Sequence, residues 1–405
     1  MHYYIFEDQY ALDFDPLTAT RPAFELRCGA FTFLERIQRQ VPERKISLIV
    51  REELAGTVQE QYPRLEVNPK HVEEGIWLLG NVLWKASELD RLLNGSARHY
   101  RKESRTVGVK LGAQDGQAWV DQGGPVSTKL NCRLPVEMIT SPLPRYLWDL
   151  IQSTETALDY DCQSFNLGNV QESRRNDIFL INADQIHIAN LDLLKPGVCI
   201  DASLGPVIIE RNVVVGAGAS IAGPVYIGHD CQVSVNANIR PGTVAGPVCN
   251  LGGEIKRSIF QAHTNKSHHG FLGDAYLGEW VNLGAGTNNS NLKNNYQPVT
   301  VLVNGQKVDS HMIHVGVFMG DHCKTAIGTN INTGSSFGPV CNITSPEILA
   351  NSLPAFTFFL EGHQLEYKFD KFLETVQMVM KRRNQQFSEA QITLFKFLHA
   401  NRLTD

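Results

Sequence analysis

The sequence lacks long hydrophobic runs, and no stretch approaches the roughly 18–20 uninterrupted apolar residues that a membrane-spanning helix requires. The first residues, from Met1 to Asp8, also lack the basic segment followed by an apolar segment that marks a secretory signal. These two absences exclude the usual signs of export and membrane insertion. We therefore predict a cytoplasmic protein with no membrane partner.

Paired cysteines and an excess of charge are absent as well. The eight cysteines are scattered without a Cys-x-x-Cys motif, which argues against a disulfide framework and against a cysteine zinc site. The 37 Lys and Arg residues nearly balance the 42 Asp and Glu residues, which leaves a net charge of −5. This balance gives no general attraction for nucleic acid, so we expect no nucleic-acid partner.

Glycine is abundant in one region only. Of the 33 glycines, 21 lie between Gly197 and Gly338. In the same region aliphatic residues recur every six positions, at 209, 215, 221, 227, 233 and 239. The period returns at 277 and 283, and again at 319, 325, 331 and 337. A period of six fits neither a helix nor a single strand, but it fits a β-helix whose coils have three short faces with small residues at the corners.

The residues before this region read as an α/β domain, which we expect to cover 1–183. Tyr3–Phe6 and Ile46–Val50 are short apolar runs typical of buried strands, and Thr32–Gln40 has apolar residues at helical spacing. The alternation of such segments is typical of a doubly wound sheet.

The hexads predict a β-helix over 184–345. Asn288–Ile313 breaks its register, which predicts an extruded loop. Residues 346–405 should form a C-terminal helical extension, because apolar residues recur at mostly helical spacing from Leu365 to about Asn401.

Histidines cluster within the hexad region, in residues 261–270. An imidazole can act as a general base near neutral pH, and His268 is the candidate for that role. A metal site is an alternative, although no carboxylate stands at an obvious ligand spacing. Its candidate ligands form two sets of histidines: His263, His268 and His269, or His311 and His314. A polar surface loop without chemistry is the third interpretation.

Two cations, Arg240 and Lys256, stand inside otherwise apolar hexads. On a coil wall such cations can bind an anionic group of a substrate, above all a phosphate, or they can be ordinary surface charges. The glycine-rich run 216–223 lacks the spacing of a phosphate loop and the Lys-Ser/Thr that follows one, so we exclude a nucleotide site there.

Longer motifs resemble a known family. The segments GGEIK at 252–256, KSHHGFLGDAYLG at 266–278 and VNLGAGT at 281–287 resemble the acetyltransferase domain of the bifunctional N-acetylglucosamine-1-phosphate uridylyltransferase/glucosamine-1-phosphate acetyltransferase family. GAGTNNSNLKNNY at 284–296 and GDHCKTAIGTNINTG at 320–334 resemble a divergent bacterial branch of sugar nucleotidyltransferases in that family.

The resemblance implies an architecture that agrees with the hexads and goes beyond them. It consists of an α/β nucleotidyltransferase-like (Rossmann-type) domain and a left-handed parallel β-helix of hexapeptide repeats, here followed by the C-terminal helical extension. It also implies a homotrimer with active sites between subunits.

The resemblance assigns roles to residues of the β-helix. His268 would take a proton from the amine of an amino-sugar phosphate, which then attacks the thioester of acetyl-CoA. The implied sugar-phosphate contacts are Arg240, Lys256, Asn282 and Phe271. The implied acyl-CoA contacts are Ala285, Asn291 and Asp321. Phe271 replaces a family tyrosine and Asp321 replaces a serine, so the identity of the sugar stays open.

The segment DPLTATRPAFELR at 15–27 resembles the signature of sugar nucleotidyltransferases. The nucleotide-binding residues that it implies are Thr18, Arg21, Arg27 and Asn81, of which Asn81 stands in place of a metal-binding aspartate. The glycine-rich loop of the family is replaced by FEDQYALDF at 6–14, and its signature lysine by Ala23. Because Mg²⁺ helps to spread the charge of a triphosphate, the resemblance leaves a role for that ion in the N-terminal domain.

We therefore predict a transferase of nucleotide-sugar synthesis. It would be a sugar-phosphate nucleotidyltransferase, an acetyl-CoA-dependent amino-sugar-phosphate N-acetyltransferase, or both. Its partners would be a sugar phosphate, a nucleoside triphosphate or nucleotide sugar, and acetyl-CoA. The alternative is a non-catalytic trimer that binds a nucleotide sugar in a regulatory or scaffolding role, which the replaced loop and Phe271 favour.

Overall fold

The protein combines an α/β domain, a parallel β-helix and two C-terminal helices, and the predicted fold class is confirmed. The computed structural model describes residues 1–41, 45–95, 98–171, 175–345, 349 and 351–402. The domain limits at 183 and 345 stay predictions, and residue 346, where the last unit would begin, lies outside the described residues.

The N-terminal domain is built around a seven-stranded mixed sheet. Its central strand, His2–Phe6, pairs in parallel with Lys45–Ile49 on one side and with Gly75–Leu79 on the other. Both His2–Phe6 and Gly75–Leu79 are buried along their whole length, as expected where helices cover both faces of a parallel sheet. The strands in sheet order are Glu66–Val67, Lys45–Ile49, His2–Phe6, Gly75–Leu79, Arg105–Leu111, His99–Lys102 and Val136–Met138.

Eight α-helices lie in the described part of the chain. They are α1 (Phe33–Gln40), α2 (Glu52–Gln61), α3 (Ala86–Asn94), α4 (Ala113–Asp121), α5 (Gly124–Ser127), α6 (Leu147–Asp161), α7 (Phe369–Lys381) and α8 (Glu389–Ala400). None of them combines the length and the hydrophobicity needed to span a bilayer.

The β-helix has three faces, which we number in chain order. The first face contains Phe179–Ile181, Cys199–Asp201, Ser220–Ala222, Asn238–Ile239, Glu254–Lys256 and Phe271–Gly273, with Asn288–Asn289 and Asn330–Ile331 pairing further along. The second face contains Ile186–Ile188, Val207–Ile209, Val225–Ile227, Thr243–Ala245, Ile259–Phe260, Tyr276–Leu277, Val317–Met319, Ser335–Phe337 and Ser352–Leu353. The third face contains Val214–Val215, Gln232–Val233, Asn250–Leu251, Asn265–Lys266, Lys324–Thr325, Asn342–Thr344, Thr357–Leu360 and His363–Glu366.

The interior of the β-helix is a set of stacked aliphatic side chains, as the hexads predicted. Each position from 209 to 239 at the six-residue period is buried, with at most 3% of its surface exposed. Parallel pairs such as Ile221 with Ile239 put like side chains one above the other. The core therefore continues from coil to coil.

The predicted extruded segment is present, but Asn288–Asn289 still pair within the first face, so the break begins after them. The segment carries the antiparallel hairpin Thr300–Val303/Gln306–Asp309. The strand Gln306–Asp309 is mostly exposed, whereas Thr300–Val303 packs inward. Val301 and Val303 are buried in the same apolar cluster as the core of the N-terminal domain. Asn304 Nδ2 donates to the carbonyl oxygen of Leu12 at 3.0 Å. The insertion thus fastens the β-helix to the first domain.

The N-terminal domain covers the second face of the β-helix. The outward residues of that face belong to the core cluster of the N-terminal domain: Ile208, Tyr226, Val244, Ile259, Tyr276 and Phe318. A second short antiparallel pair, Arg27–Cys28/Phe31–Thr32, lies near this contact, because the backbone N–H of Arg27 donates to the hydroxyl of Tyr276 at 2.7 Å.

The C-terminal extension is helical, as predicted, but the stretch from Leu365 to about Asn401 is not continuous helix. Leu365 lies in a strand, and the chain between α7 and α8 turns at residues 382–388. Helix α7 packs on the edge between the second and third faces, through Trp280, Val340 and Phe356. Helix α8 packs on α2 of the N-terminal domain, where Ser388 Oγ donates to the Glu60 carboxylate at 2.5 Å.

Candidate functional site

The first face carries three of the predicted sugar-phosphate residues. Continuation of the strand register puts Arg240 beside Lys256, and Lys256 beside Gly273 on the next coil. Adjacent strands lie roughly 4.8 Å apart, so the two cations are neighbours. Arg240 Nη1 is 2.6 Å from Glu254 Oε1, in an ion pair whose side chains are about two-fifths exposed. Lys256 is half-buried.

The side chains of Phe271 and Asn291 both lie close to Gly273, the residue that pairs with Lys256 on the next coil. A Cβ at Gly273 would lie 2.4 Å from the Phe271 ring and 3.1 Å from Asn291 Nδ2, so glycine makes room for both side chains. Asn291 Nδ2 donates to Asp274 Oδ2 at 2.6 Å, which fixes its orientation. The structure therefore brings together a predicted sugar-phosphate residue and a predicted acyl-CoA residue.

His268 lies at the edge where the third face turns into the first. We call this edge, formed by the turns that contain Val235, His268, Ala285 and Ile327, the histidine edge. The turn with Ala285 stacks on the turn with His268, since Gly286 N donates to His269 O at 3.1 Å. The His268 side chain is exposed. The predicted base thus borders both the first face and the predicted acyl-CoA residue Ala285.

A buried lysine, Lys266, holds the His268 turn in place. Its position on the third face is the interior one, where the coils on either side have Leu251 and Leu283. Only 1% of Lys266 is exposed. Its Nζ donates to the carbonyl oxygens of Gly252, at 3.2 Å, and of His268, at 2.6 Å. Burial lowers the pKa of Lys266 from 10.5 to about 8. This ammonium therefore joins two successive turns of the histidine edge.

Two of the predicted β-helix residues lie elsewhere. Asn282 is on the third face, where its Oδ1 accepts from Asn265 Nδ2 at 2.6 Å. Asp321 is buried at the contact with the N-terminal domain, and its carboxylate accepts hydrogen bonds from Thr20 and from Arg21. This geometry gives no support to an acyl-CoA role for Asp321, which stays a prediction.

Arg21 is the centre of a buried charge cluster between the two domains. Its guanidinium bonds Glu279 Oε1 at 2.7 Å and Asp321 Oδ2 at 2.5 Å. Burial opposes the charge of Arg21, but Asp321 and Glu279 outweigh burial and raise its pKa. Burial also raises the pKa of the neighbouring Glu25 to about 8, although Arg21 opposes this shift. Arg21, the arginine of the nucleotidyltransferase-like signature, is therefore paired with two carboxylates of the β-helix.

The other predicted nucleotide-binding residues are also buried, and each has partners inside the protein. Thr18 Oγ1 donates to the carbonyl oxygen of Ala11 at 2.8 Å. Asn81 Nδ2 donates to the carbonyl oxygen of Pro144 at 3.2 Å. Arg27 donates to the carbonyl oxygen of Ala30. Their roles toward a nucleotide stay predictions, and the geometry shows them supporting the signature segment.

An open cavity of the N-terminal domain, of about 210 Å³, lies beyond the carboxyl end of the strand His2–Phe6. Such strand ends are where α/β sheets bind ligands. The cavity is lined by Asp8, Tyr10, Arg101 and Arg105 among others. Arg105 makes two hydrogen bonds of 2.9 Å with the Asp8 carboxylate and lies over the Tyr10 ring. Asp8 and Tyr10 belong to the segment 6–14 that replaces the glycine-rich loop of the family, whereas no motif marked Arg101 and Arg105, which lie about a hundred residues further along the chain.

Within the described part of the chain, no cluster of three or more His, Cys, Asp or Glu side chains could hold a metal ion. In the first histidine set, the His263 ring stacks on Trp280, whereas the His268 side chain is exposed. A role for Mg²⁺ in the N-terminal domain stays a prediction. Asn81, which stands in place of the family's metal-binding aspartate, donates its Nδ2 to a carbonyl oxygen within the protein.

The fold and these residues define a protein with a sugar-nucleotidyltransferase-like domain joined to a hexapeptide β-helix. Residues 3–170 match the family model described as sugar nucleotidyl transferase. This match and the relatives below confirm the predicted family resemblance, at modest identity.

The curated relatives carry bifunctional names. The bifunctional sugar-1-phosphate nucleotidylyltransferase/acetyltransferase of Sulfurisphaera tokodaii is 29% identical over 214 residues, which cover 52% of this chain and 47% of the relative. The bifunctional protein GlmU of Methanocaldococcus jannaschii is 32% identical over 281 residues, covering 69% of this chain and 55% of the relative. The bifunctional protein GlmU of Synechococcus sp. is 31% identical over 138 residues, which cover 33% of this chain and 29% of the relative. The chain spans about half or less of the length of these relatives.

We predict that Arg21→Ala lowers the free energy of unfolding by about 3–5 kcal/mol, because it leaves two buried carboxylates without their partner. Arg91→Ala removes the two ion pairs of a side chain that is 56% exposed, with Glu88 and Glu137, and should cost less than about 1 kcal/mol. Denaturant unfolding of both variants measures the difference. Arg21→Ala combined with Glu279→Gln and Asp321→Asn should recover part of the loss. Equal, small effects of Arg21→Ala and Arg91→Ala would contradict the cluster.

We predict that the unfolding free energy rises between pH 8 and pH 10 more steeply in the wild type than in Lys266→Met. The folded protein, in which the pKa of Lys266 is about 8, releases this proton at a lower pH than the unfolded chain, where the pKa is 10.5. Stability from this group is therefore gained as the pH rises. Denaturant unfolding across this range measures it, with the exposed Lys371→Met as the control. Identical slopes in all three proteins would exclude a buried, titrating Lys266.

Proposed function

We propose that the protein is a transferase whose β-helix transfers an acetyl group from acetyl-CoA to the amine of an amino-sugar phosphate. The observation that carries this proposal is the grouping of Arg240, Lys256 and Phe271 on one open face, next to His268 on the adjoining edge. The name of the relative from Sulfurisphaera tokodaii, which includes acetyltransferase, supports the same chemistry.

The residues divide the work between binding and proton transfer. Lys256 and Arg240 offer charged donors to the phosphate, and the half-exposed pair of Arg240 with Glu254 can open to admit it. Phe271 offers an apolar surface in place of a hydroxyl. The amine nitrogen attacks the thioester carbon, the C–S bond breaks, and the amide and the CoA thiolate form. His268 accepts the proton of the amine and returns it to the thiolate.

The histidine edge is also the surface proposed for assembly into a homotrimer. Val235 and Ile327 on this edge are 67% and 77% exposed, unusual for apolar side chains that flank a candidate site. The second face is covered by the N-terminal domain, and the edge between the second and third faces by α7. The first face and the histidine edge are therefore available to a second copy of the chain.

Nucleotidyl transfer in the N-terminal domain is the second candidate function. It is supported by the family match of residues 3–170 and by the cavity beyond the carboxyl end of His2–Phe6. Arg101 gives that cavity a cation suited to phosphate groups, whereas the Arg105 guanidinium is paired with the Asp8 carboxylate. The substrates proposed for this reaction are a nucleoside triphosphate and a sugar phosphate. Release of pyrophosphate from the triphosphate measures the reaction.

We expect His268→Ala to lower kcat of acetyl transfer by ~10²–10⁴-fold with a smaller effect on KM, because it removes the base and leaves the phosphate contacts. Mass spectrometry of acetyl-CoA with a panel of amino-sugar phosphates measures product. The control is His311→Ala, whose side chain is 87% exposed on the extruded segment. If His268→Ala turned over as fast as the wild type, His268 would not be the general base of acetyl transfer. No turnover by the wild type on any panel member would favour the non-catalytic, nucleotide-sugar-binding trimer.

We expect the wild type to have three times the mass of one chain in light scattering. The double variant Val235→Asp/Ile327→Asp should have the mass of a single chain, because it puts two carboxylates into the proposed contact. Leu204→Asp changes an equally exposed apolar residue on another edge and should stay trimeric. A monomeric wild type, or a double variant that stays trimeric, would exclude this edge as the contact.

A further inference from the structure

A second polar cleft lies between the third face of the β-helix and the C-terminal end of α7. Its volume is about 470 Å³, within the range of small-molecule pockets. The β-helix contributes Asn250, Asn265, Asn282 and Lys324 to its walls, and the chain after α7 contributes Arg382 and Arg383. Arg240, Lys256 and Phe271 do not line it, because they lie on the first face.

The charges around the cleft have one sign. Lys324, Arg382 and Arg383 line it, and no carboxylate does so among the described residues. Arg382 and Arg383 have no acidic partner within ion-pair distance in the described ranges. Lys324 Nζ donates to the carbonyl oxygen of His322 at 3.2 Å, and two of its three protons stay available. Burial lowers the pKa of Lys324, as it does for an ammonium without a counter-ion. The cleft is thus lined by cations whose charge no carboxylate of the described residues neutralises.

The opposite wall is polar and uncharged. Asn250 Nδ2 donates to Asn265 Oδ1 at 3.0 Å, and Asn265 Nδ2 donates to Asn282 Oδ1 at 2.6 Å. These bonds run in one direction along three coils, which leaves an amide oxygen free at Asn250 and an amide N–H₂ free at Asn282. Amides of this kind suit hydroxyl groups, which both donate and accept hydrogen bonds.

We propose that this cleft binds a small phosphorylated polyol, with the phosphate against Lys324, Arg382 and Arg383 and the hydroxyl groups against the asparagine wall. The C-terminal extension is then part of a binding site, since two of the three cations come from the segment that ends α7. Multiple charged donors around one space favour a phosphate over a carboxylate. The proposal does not rest on the proposed acetyl transfer, because its three cations lie apart from Arg240, Lys256, Phe271 and His268. It shares Asn282 with the sugar-phosphate contacts that the resemblance implies.

Calorimetry with glucose 6-phosphate, glucose 1-phosphate and glucose tests the cleft. The wild type should bind at least one of the phosphates with a Kd below 1 mM and at least tenfold tighter than glucose. Arg382→Ala/Arg383→Ala should weaken that binding by at least tenfold, and Lys324→Met should weaken it as well. Lys371→Ala, a cation of α7 that does not line the cleft, should bind as the wild type does. Thermal melting shows whether each variant is folded.

Two further measurements separate this site from the proposed transferase site. Bound sugar phosphate should slow hydrogen exchange in residues 376–385. Lys256→Met, which removes a phosphate contact of the proposed transferase site, should keep the affinity that Arg382→Ala/Arg383→Ala lowers. Failure of acetyl transfer with intact binding would affect the proposed function alone. The cleft proposal is wrong if neither phosphate binds more tightly than glucose, or if Arg382→Ala/Arg383→Ala binds as tightly as the wild type.

Discussion

Successive coils of the β-helix must stay in register, because the backbone of each coil hydrogen-bonds to the coils on either side. Arg240 N donates to Ile255 O, and Glu254 N donates to Gly270 O. A residue's position in this ladder decides which face it occupies and which side chains adjoin it. Arg240, Lys256 and Phe271 share the first face for this reason, although they belong to three different coils. The strand register between coils, more than any single side-chain contact, therefore brings the residues of the candidate site together.

The contact between the domains depends on the same register. The outward residues of the second face complete the core of the N-terminal domain, and Glu279 and Asp321 present carboxylates at its border. A buried guanidinium needs such partners, and Arg21 supplies the opposite charge. An arginine in a phosphate-binding signature and an arginine that joins two domains look alike in sequence. What distinguishes them here is Asp321, which lies 300 residues further along the chain.

The hexads from 209 to 239 could be recognised because these coils have a uniform length, and every interior position follows from counting by six. The count fails after them, since Ile239 pairs with Ile255 and Leu251 with Lys266, in coils of 16 and 15 residues. Lys266 was overlooked for this reason: it occupies an interior position that the period no longer marks. The helical spacing in the C-terminal extension runs on without marking the turn between α7 and α8, because both helices contribute apolar residues to one cluster, with Phe372 and Phe395 in contact. The apolar periodicity therefore indicates which residues join this cluster, and it does not indicate the turn between the two helices.

The packing of α8 on α2 joins the last segment of the chain to the first domain. Leu394 of α8 lies in the same apolar cluster as Leu54 of α2, and Ala390 lies close to Gly56. During synthesis the amino-terminal parts of a chain emerge and fold first. The apolar surface of α2 therefore stays uncovered until α8, which lies far along the chain from α2, has been made. A chain that stops before α8 would expose the part of α2 that Leu394 and Ala390 cover.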